Sequence, residues 1–254
     1  MSKQYLLLAA SLVAAGASQA EGKFFTTVGV DYSSGEYGTS TKTTILSIPV
    51  ALKYETGAFT FKGSLPWLQV KSPAGSTLGP DGRPIGAVTA NRTTHSGIGD
   101  LVTSVTWAAF QDAASATALD LTGKVKWATA DEDKGLGTGE NDFSIQADIY
   151  KTIGKTALFG TLGYKMYGDP AGIDFRNVGY GGVGFSHRVT DKFSAGLTWD
   201  YRPKVTANGD PTNELTAFMS NKLTDKTKLQ LYAVKGLSDG SPDWGGGLTL
   251  INSY

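Results

Sequence analysis

Two histidines, each beside a serine, are the residues from which a hydrolytic site would have to be built: His95-Ser96 and Ser186-His187. A hydroxyl nucleophile needs a His within hydrogen-bond reach and a third group to orient that His. Adjacent side chains on a strand face opposite ways, so neither neighbouring pair forms a dyad by itself. No catalytic residue is assigned. The acidic run Asp131-Glu132-Asp133-Lys134-Gly135 superficially resembles part of a calcium loop, but it lacks an oxygen ligand at the fifth position and a Glu at the twelfth. Glu140 could approach it in space, and Asp142 follows, which keeps weak calcium binding as an alternative to an acidic loop facing water. No metal is assigned. The absence of cysteine removes zinc-thiolate sites, iron–sulfur clusters and thiol nucleophiles. No glycine-rich phosphate motif follows a strand and opens a helix, so no cofactor is expected.

The remaining polar residues of interest are charged groups and one amide that fall on one parity of their segments. Asp100, Asp120, Lys124, Lys126, Asp142, Gln146, Asp148, Lys165, Asp200 and Arg202 alternate with apolar residues. Leu119, Leu121, Val125 and Trp127 interleave with Asp120, Lys124 and Lys126; Phe143, Ile145 and Ile149 interleave with Asp142, Gln146 and Asp148. Period two places the two sets on opposite faces of a sheet. One face is apolar and the other carries charge.

The elements that must position them follow from that period. Twelve segments show it, near 24–32, 43–55, 58–70, 99–110, 117–128, 141–151, 156–167, 176–188, 193–202, 212–223, 227–235 and 243–254. Their connections alternate between tight turns and longer loops, the longest being 71–98. A β-sandwich also alternates. The segments here are about 10–12 residues, long enough to cross a bilayer tilted, where ordinary strands have about 5–6. Aromatics (Tyr54, Phe59, Trp67, Trp107, Trp127, Tyr201) gather near the ends of the apolar face, and the last residue is Tyr254. The expected fold is all-β: an up-and-down antiparallel transmembrane β-barrel of about twelve strands, with periplasmic turns and longer outer loops. Closure is obligatory, because lipid offers no partner to a backbone N–H or C=O. Arg or Lys on the lipid face near the midplane would cost about 2–4 kcal/mol, so the charged parity must face the lumen. Segment 176–188 is ambiguous: Val183 and Phe185 favour one parity, Val178 and Tyr180 the other. Asn252 departs from the apolar residue expected there.

Residues 1–20 read as a secretory signal, with Lys3 as basic region, an apolar run over 6–15 and small residues at Ser18 and Ala20. The mature barrel is expected over 21–254. The run is too short to span a bilayer as a helix. Across all 254 residues, 23 Lys+Arg balance 23 Asp+Glu, which provides no field for nucleic acid. Lipids of the outer membrane of a Gram-negative bacterium, its barrel-assembly machinery and small solutes are the expected partners.

Pro49 and Pro66 fall inside the second and third segments and oppose one another if the hairpin turns at Thr56-Gly57. Proline has no N–H for a ladder. One reading is a bulge tolerated towards the outer rim. The other is a weakened wall that lets an apolar molecule leave sideways, a lateral gate.

From Gly97 onward the chain resembles the outer-membrane family named for the MetA pathway of phenol degradation. The residues that carry the likeness are Gly97-Ile98-Gly99-Asp100-Leu101 and Gly135-Leu136-Gly137-Thr138-Gly139-Glu140-Asn141-Asp142. Where that family has Pro-Thr-Gly-Asp, Ala128-Thr129-Ala130-Asp131 keeps the Thr and the Asp. The resemblance implies a barrel that passes small, aromatic or hydrophobic molecules, and carries over no catalytic residue. Passive passage through a narrow charged lumen, with 71–98 as constriction, is the expected function. The alternatives are an outer-membrane hydrolase and a plugged barrel serving structure, adhesion or export.

Overall fold

The computed structural model describes residues 22–79, 83–86, 89 and 91–254. The expected signal, 1–20, lies outside them. The described residues form strands β1 (Lys23–Gly35), β2 (Thr43–Thr56), β3 (Phe59–Pro73), β4 (Ser76–Leu78), β5 (Pro84–Gly86), β6 (Arg92–Ile98), β7 (Leu101–Asp112) and β8 (Thr117–Trp127). They continue as β9 (Asp142–Ile153), β10 (Thr156–Met166), β11 (Val178–Arg188), β12 (Phe193–Arg202), β13 (Thr212–Lys222), β14 (Thr227–Gly236) and β15 (Trp244–Ser253).

Each barrel strand pairs antiparallel with its neighbours in the chain, and β15 pairs with β1 from Phe25↔Ser253 to Ser34↔Trp244, closing the ring. β6 and β7 are two halves of one staved strand, since both pair with β3 in the same direction. The wall therefore has twelve strands. Leu162 is 74% exposed and Leu52 62%, whereas Thr122, Gln146 and Asp148 are buried, so the parity follows the sequence pattern. No helix of the described residues is long and apolar enough to cross a membrane.

The tripeptide Thr-Asp-Lys turns the chain twice by one device. Thr190 Oγ1 accepts from Phe193 N at 3.0 Å and Thr224 Oγ1 from Thr227 N at 3.0 Å. The hydroxyl stands in for a backbone acceptor and fixes the reversal. Asn252 is accounted for at the same end: Thr227 Oγ1 donates to its Oδ1 at 2.9 Å.

Two expectations are corrected and one ambiguity is settled. Residues 71–98 are not one loop: β3 runs on to Pro73, β6 returns beside it from Trp67↔Ile98 to Pro73↔Arg92, and β4–β5 form a small hairpin between them. The fourth barrel strand accordingly begins far before residue 99 and is interrupted at Gly99-Asp100. In segment 176–188, which the pattern left ambiguous, the odd parity faces outward: Val183 and Phe185 are exposed outside, while Val178 and Tyr180 are apolar residues buried inside.

The prolines sit in no bulge of their own hairpin. Register is continuous from Thr44↔Lys71 through Pro49↔Pro66 to Thr56↔Phe59. The irregularities lie on the two outer flanks, and on the β3 flank the register slips by one residue, residues 65–66 facing 99–101, so the expected bulge is present there. The β1–β2 ladder runs to Val28↔Val50 and resumes at Asp31↔Ser47, skipping Pro49. The β3–β7 ladder stops at Ser64↔Val102 and the β3–β6 ladder starts at Trp67↔Ile98, with Gly99 N donating to Pro66 O at 2.8 Å between them. Within an antiparallel pair a residue directs its N–H and C=O to the same side. Pro66 thus withholds its donor from the β7 side.

Candidate functional site

The candidate site is the inner wall. All ten polar residues expected there have buried or half-buried side chains. Lys126 Nζ donates to Asp100 Oδ2 at 2.9 Å and to the Glu140 carbonyl at 2.8 Å, and lies 3.7 Å from Asp142 Oδ2. Lys165 Nζ stands 3.5 Å from the same Asp142 oxygen and 4.7 Å from the ring centre of Tyr167. Gln146 is the connector: its Oε1 accepts from Lys124 Nζ at 2.8 Å and from the Tyr180 hydroxyl at 3.0 Å. Its Nε2 donates to Asp148 Oδ2 at 2.5 Å, and Thr161 Oγ1 donates to Asp148 Oδ1 at 2.6 Å. Arg202, 1% exposed, donates from Nη1 to the Tyr167 hydroxyl at 3.0 Å and from Nη2 to Thr212 Oγ1 at 2.8 Å. A carboxylate or guanidinium buried this deeply is tolerable only with such partners.

Register sorts these charges into rows. Lys53 pairs with Lys62, Lys62 with Ser104, Ser104 with Lys124, Lys124 with Ser144, and Ser144 with Lys165. A second row links Asp120 with Asp148, Asp148 with Thr161, Thr161 with Gly182, Gly182 with Asp200, and Asp200 with Glu214. Gly182 makes room for its neighbour, since a Cβ there would come within 2.4 Å of Asp200 Oδ1. Along β8 and β9 the rows are four residues apart, about 13 Å at the usual rise per residue. Thr106, Thr122 and Gln146 occupy the level between them, Thr106 and Thr122 sharing a hydroxyl contact at 2.9 Å. Lys53, Lys62 and Glu214 were missed by periodicity alone, because a row exists only once the register between strands is known.

The outer mouth is apolar and covered. Leu78 of β4 packs with Val70 and Leu136, and its N–H reaches the Gly135 carbonyl at 2.8 Å. Ile85 of β5 packs against Tyr167, Phe175, Val178 and Val205 beyond β10 and β12. Arg83 Nη1 donates to the Asp210 carbonyl at 3.2 Å, and burial pushes its guanidinium below the usual arginine range. The hairpin therefore reaches from the β3 side of the mouth to the opposite wall. In the loop after β1, burial raises the Tyr37 phenol to about 12, partly opposed by a hydrogen bond from Ser33.

The glycine motifs meet at the break between β6 and β7. Asp100 Oδ1 accepts from Thr129 N at 3.1 Å and Ala130 N at 3.0 Å, while Thr129 Oγ1 accepts from Leu101 N at 2.8 Å and donates to the Gly99 carbonyl at 3.1 Å. A Cβ on Gly137 would lie 3.1 Å from Asp100 Oδ2, and one on Gly97 would lie 2.8 Å from Leu136 Cδ1.

Neither serine is brought to its neighbouring histidine. Ser96 and His95 alternate along β6, His95 half-buried and Ser96 exposed; His187 Nδ1 lies 2.9 Å from Thr156 Oγ1 across the β10–β11 pair. The acidic run is dispersed among other partners. Lys134 holds Asp131 at 2.7 Å, its hydrogen bond and charge drawing that carboxyl below the usual range, while Asp142 faces the two lysines. Among the described residues no three His, Asp or Glu side chains converge as metal ligands.

No family model matches the chain and no curated protein does. The likeness to the phenol-degradation family thus rests on the short motifs alone. Solved structures do match in fold. The COG4313 outer membrane channel from Pseudomonas putida F1 superposes with a TM-score of 0.70 at 15% identity, covering 93% of this chain and 97% of its own. The NanC porin matches at 0.55 and 8% identity, over 89% and 98% of the two chains. The KdgM porin matches at 0.54 and 7% identity, over 90% and 99%. At these identities the likeness is one of fold: a closed twelve-stranded barrel of the outer-membrane channel type.

Proposed function

We propose that this protein is a channel of the Gram-negative outer membrane, exported by the signal over 1–20, that passes small solutes passively through its charged lumen. The observation that carries this reading is the division of the wall: an apolar outer surface, and inner rows of Lys and Asp that lipid would not tolerate. The β4–β5 hairpin acts as the constriction foreseen for 71–98, and the residues from Asp100 to Arg202 expected on the path line it. Its partners are membrane lipids, the machinery that assembles barrels, and the solutes. The resemblance to the phenol-degradation family makes small aromatic molecules the first solutes to test.

Single-channel recording of the refolded, signal-free protein in a planar bilayer tests it. Discrete ohmic steps are expected. Silence from demonstrably folded protein would sink the channel reading and favour a plugged barrel serving structure or export.

A second reading, lateral release of apolar solutes into the membrane, is favoured by one specific observation. The ladders on both flanks of the β2–β3 hairpin lapse at Pro49 and Pro66, which leaves that hairpin tied to the rest of the wall less firmly than to itself. Exchange of a membrane-soluble aromatic fluorophore, measured in proteoliposomes with and without both prolines, distinguishes it from axial passage.

A further inference from the structure

We propose that Lys53, Lys62, Lys124 and Lys165 form an inclined anion track through the lumen, and that the solutes it serves are small organic carboxylates. The proposal rests on the channel reading and adds to it a charge class and a route.

The register is the first ground. Residues matched across successive hydrogen-bonded strands lie on one line, and because barrel strands tilt, that line climbs as it circles the wall. Lys53 is close to the periplasmic turn after Thr56, whereas Lys165 is one residue from the outer end of β10. The row thus ascends from one mouth towards the other. Adjacent strands are about 4.8 Å apart, so Lys62, Lys124 and Lys165 recur about every 10 Å along it. Ser104 and Ser144 fill the places between. They leave the lane open and offer hydroxyl donors to a carboxylate oxygen.

Lys62 is the second ground. Lys53 and Lys165 are balanced by Glu55 at 2.6 Å and Asp142 at 3.5 Å, and Lys124 is held by Gln146 at 2.8 Å and feels the Asp148 carboxylate. The charged groups acting on Lys62 are Lys124 and Lys53, both of its own sign. Like charges directly opposite on one face of a sheet destabilise it. Among the described residues no carboxylate offsets Lys62, so an anion in the lumen would supply what the wall omits.

The third ground is what lies above. Pro49, Pro66, Leu68 and Val70 share the inner face of β2 and β3 outward of the two lysines, continuous with Leu78 and Leu136 at the mouth. A solute with an apolar body and one carboxylate meets both surfaces.

The test is reversal-potential measurement in planar bilayers with sodium benzoate gradients, on wild type, Lys62→Glu and Lys62→Arg, each verified as folded by heat-modifiable mobility. Lys62→Gln substitutes where the glutamate variant fails to fold. The benzoate-to-sodium permeability ratio is expected to fall about tenfold in Lys62→Glu and to be restored in Lys62→Arg. Conductance with an unchanged ratio overturns the track and leaves the channel standing. Silence from folded wild type overturns the channel reading, and the track with it.

Discussion

Lys126 Nζ lies 2.9 Å from Asp100 Oδ2, and that ion pair pins the interruption of the fourth barrel strand to β8. Both side chains are nearly withdrawn from solvent, at 10% and 13% exposure. Removing Asp100 leaves Lys126 with only the Glu140 carbonyl and the more distant Asp142, and takes the acceptor from the Thr129 and Ala130 N–H groups, a loss of about 1–3 kcal/mol. Asp100→Ala is therefore expected to lower the urea midpoint of the detergent-folded barrel strongly. The double variant with Lys126→Met should recover part of the loss, and strict additivity would show that the two residues do not act together.

The glycines of the break give a paired prediction. Gly137→Ala places a methyl 2.8 Å from Ala130 Cβ and 3.1 Å from Asp100 Oδ2, a close approach expected to cost about 1–3 kcal/mol. Gly123→Ala, on the outer face of β8 with nothing within 4 Å, should be neutral or slightly stabilising. Equal urea midpoints for the two variants would contradict this account of the motif.

For the prolines, Pro49→Val with Pro66→Val should let both flanking ladders close. The expected outcome is slower exchange of a membrane-soluble aromatic fluorophore, with single-channel conductance preserved. Unchanged exchange removes the support for a lateral route.

Tyr37 supplies an alkaline signature. Burial raises its phenol to about 12 from an ordinary 10, and nearby Arg83 opposes that shift while Glu214 and Asp243 add to it. A raised pKa means the folded state holds its proton longer than the unfolded one. The associated stability is full below pH 10 and fades as pH rises towards 12. Tyr37→Phe should lose less stability than wild type across that window, read as the fraction of compact, unheated barrel on gels after incubation at each pH.

Much of the wall was legible because lipid enforces one rule on every strand. Asp120, Lys124 and Lys126 alternate with Leu121, Val125 and Trp127, and only one parity of such a strand can face acyl chains. The opposed prolines followed from counting outward from Thr56-Gly57, and the same count pairs Lys53 with Lys62. That pair went unread because Lys62 is flanked by Phe61 and Gly63 in a stretch whose polar parity is irregular. The split of β6 from β7 had no periodic signature at all. It is decided by Pro66, Asp100 and Thr129, which are distant in sequence and meet only in the folded wall. The β4–β5 hairpin escaped for another reason: three-residue strands are too short for a period to show.

The seam between β1 and β15 joins Thr26 to Tyr254, residues separated by 228 positions. Loop closure over such a span forfeits much chain entropy before any bond repays it. The ring therefore has a fixed moment of completion. Until β15 is made and paired with β1, the sheet has two raw edges whose N–H and C=O groups have no partner. Loss of β1 or β15 turns a sealed vessel into an open sheet, with every missing bond exposed at the join.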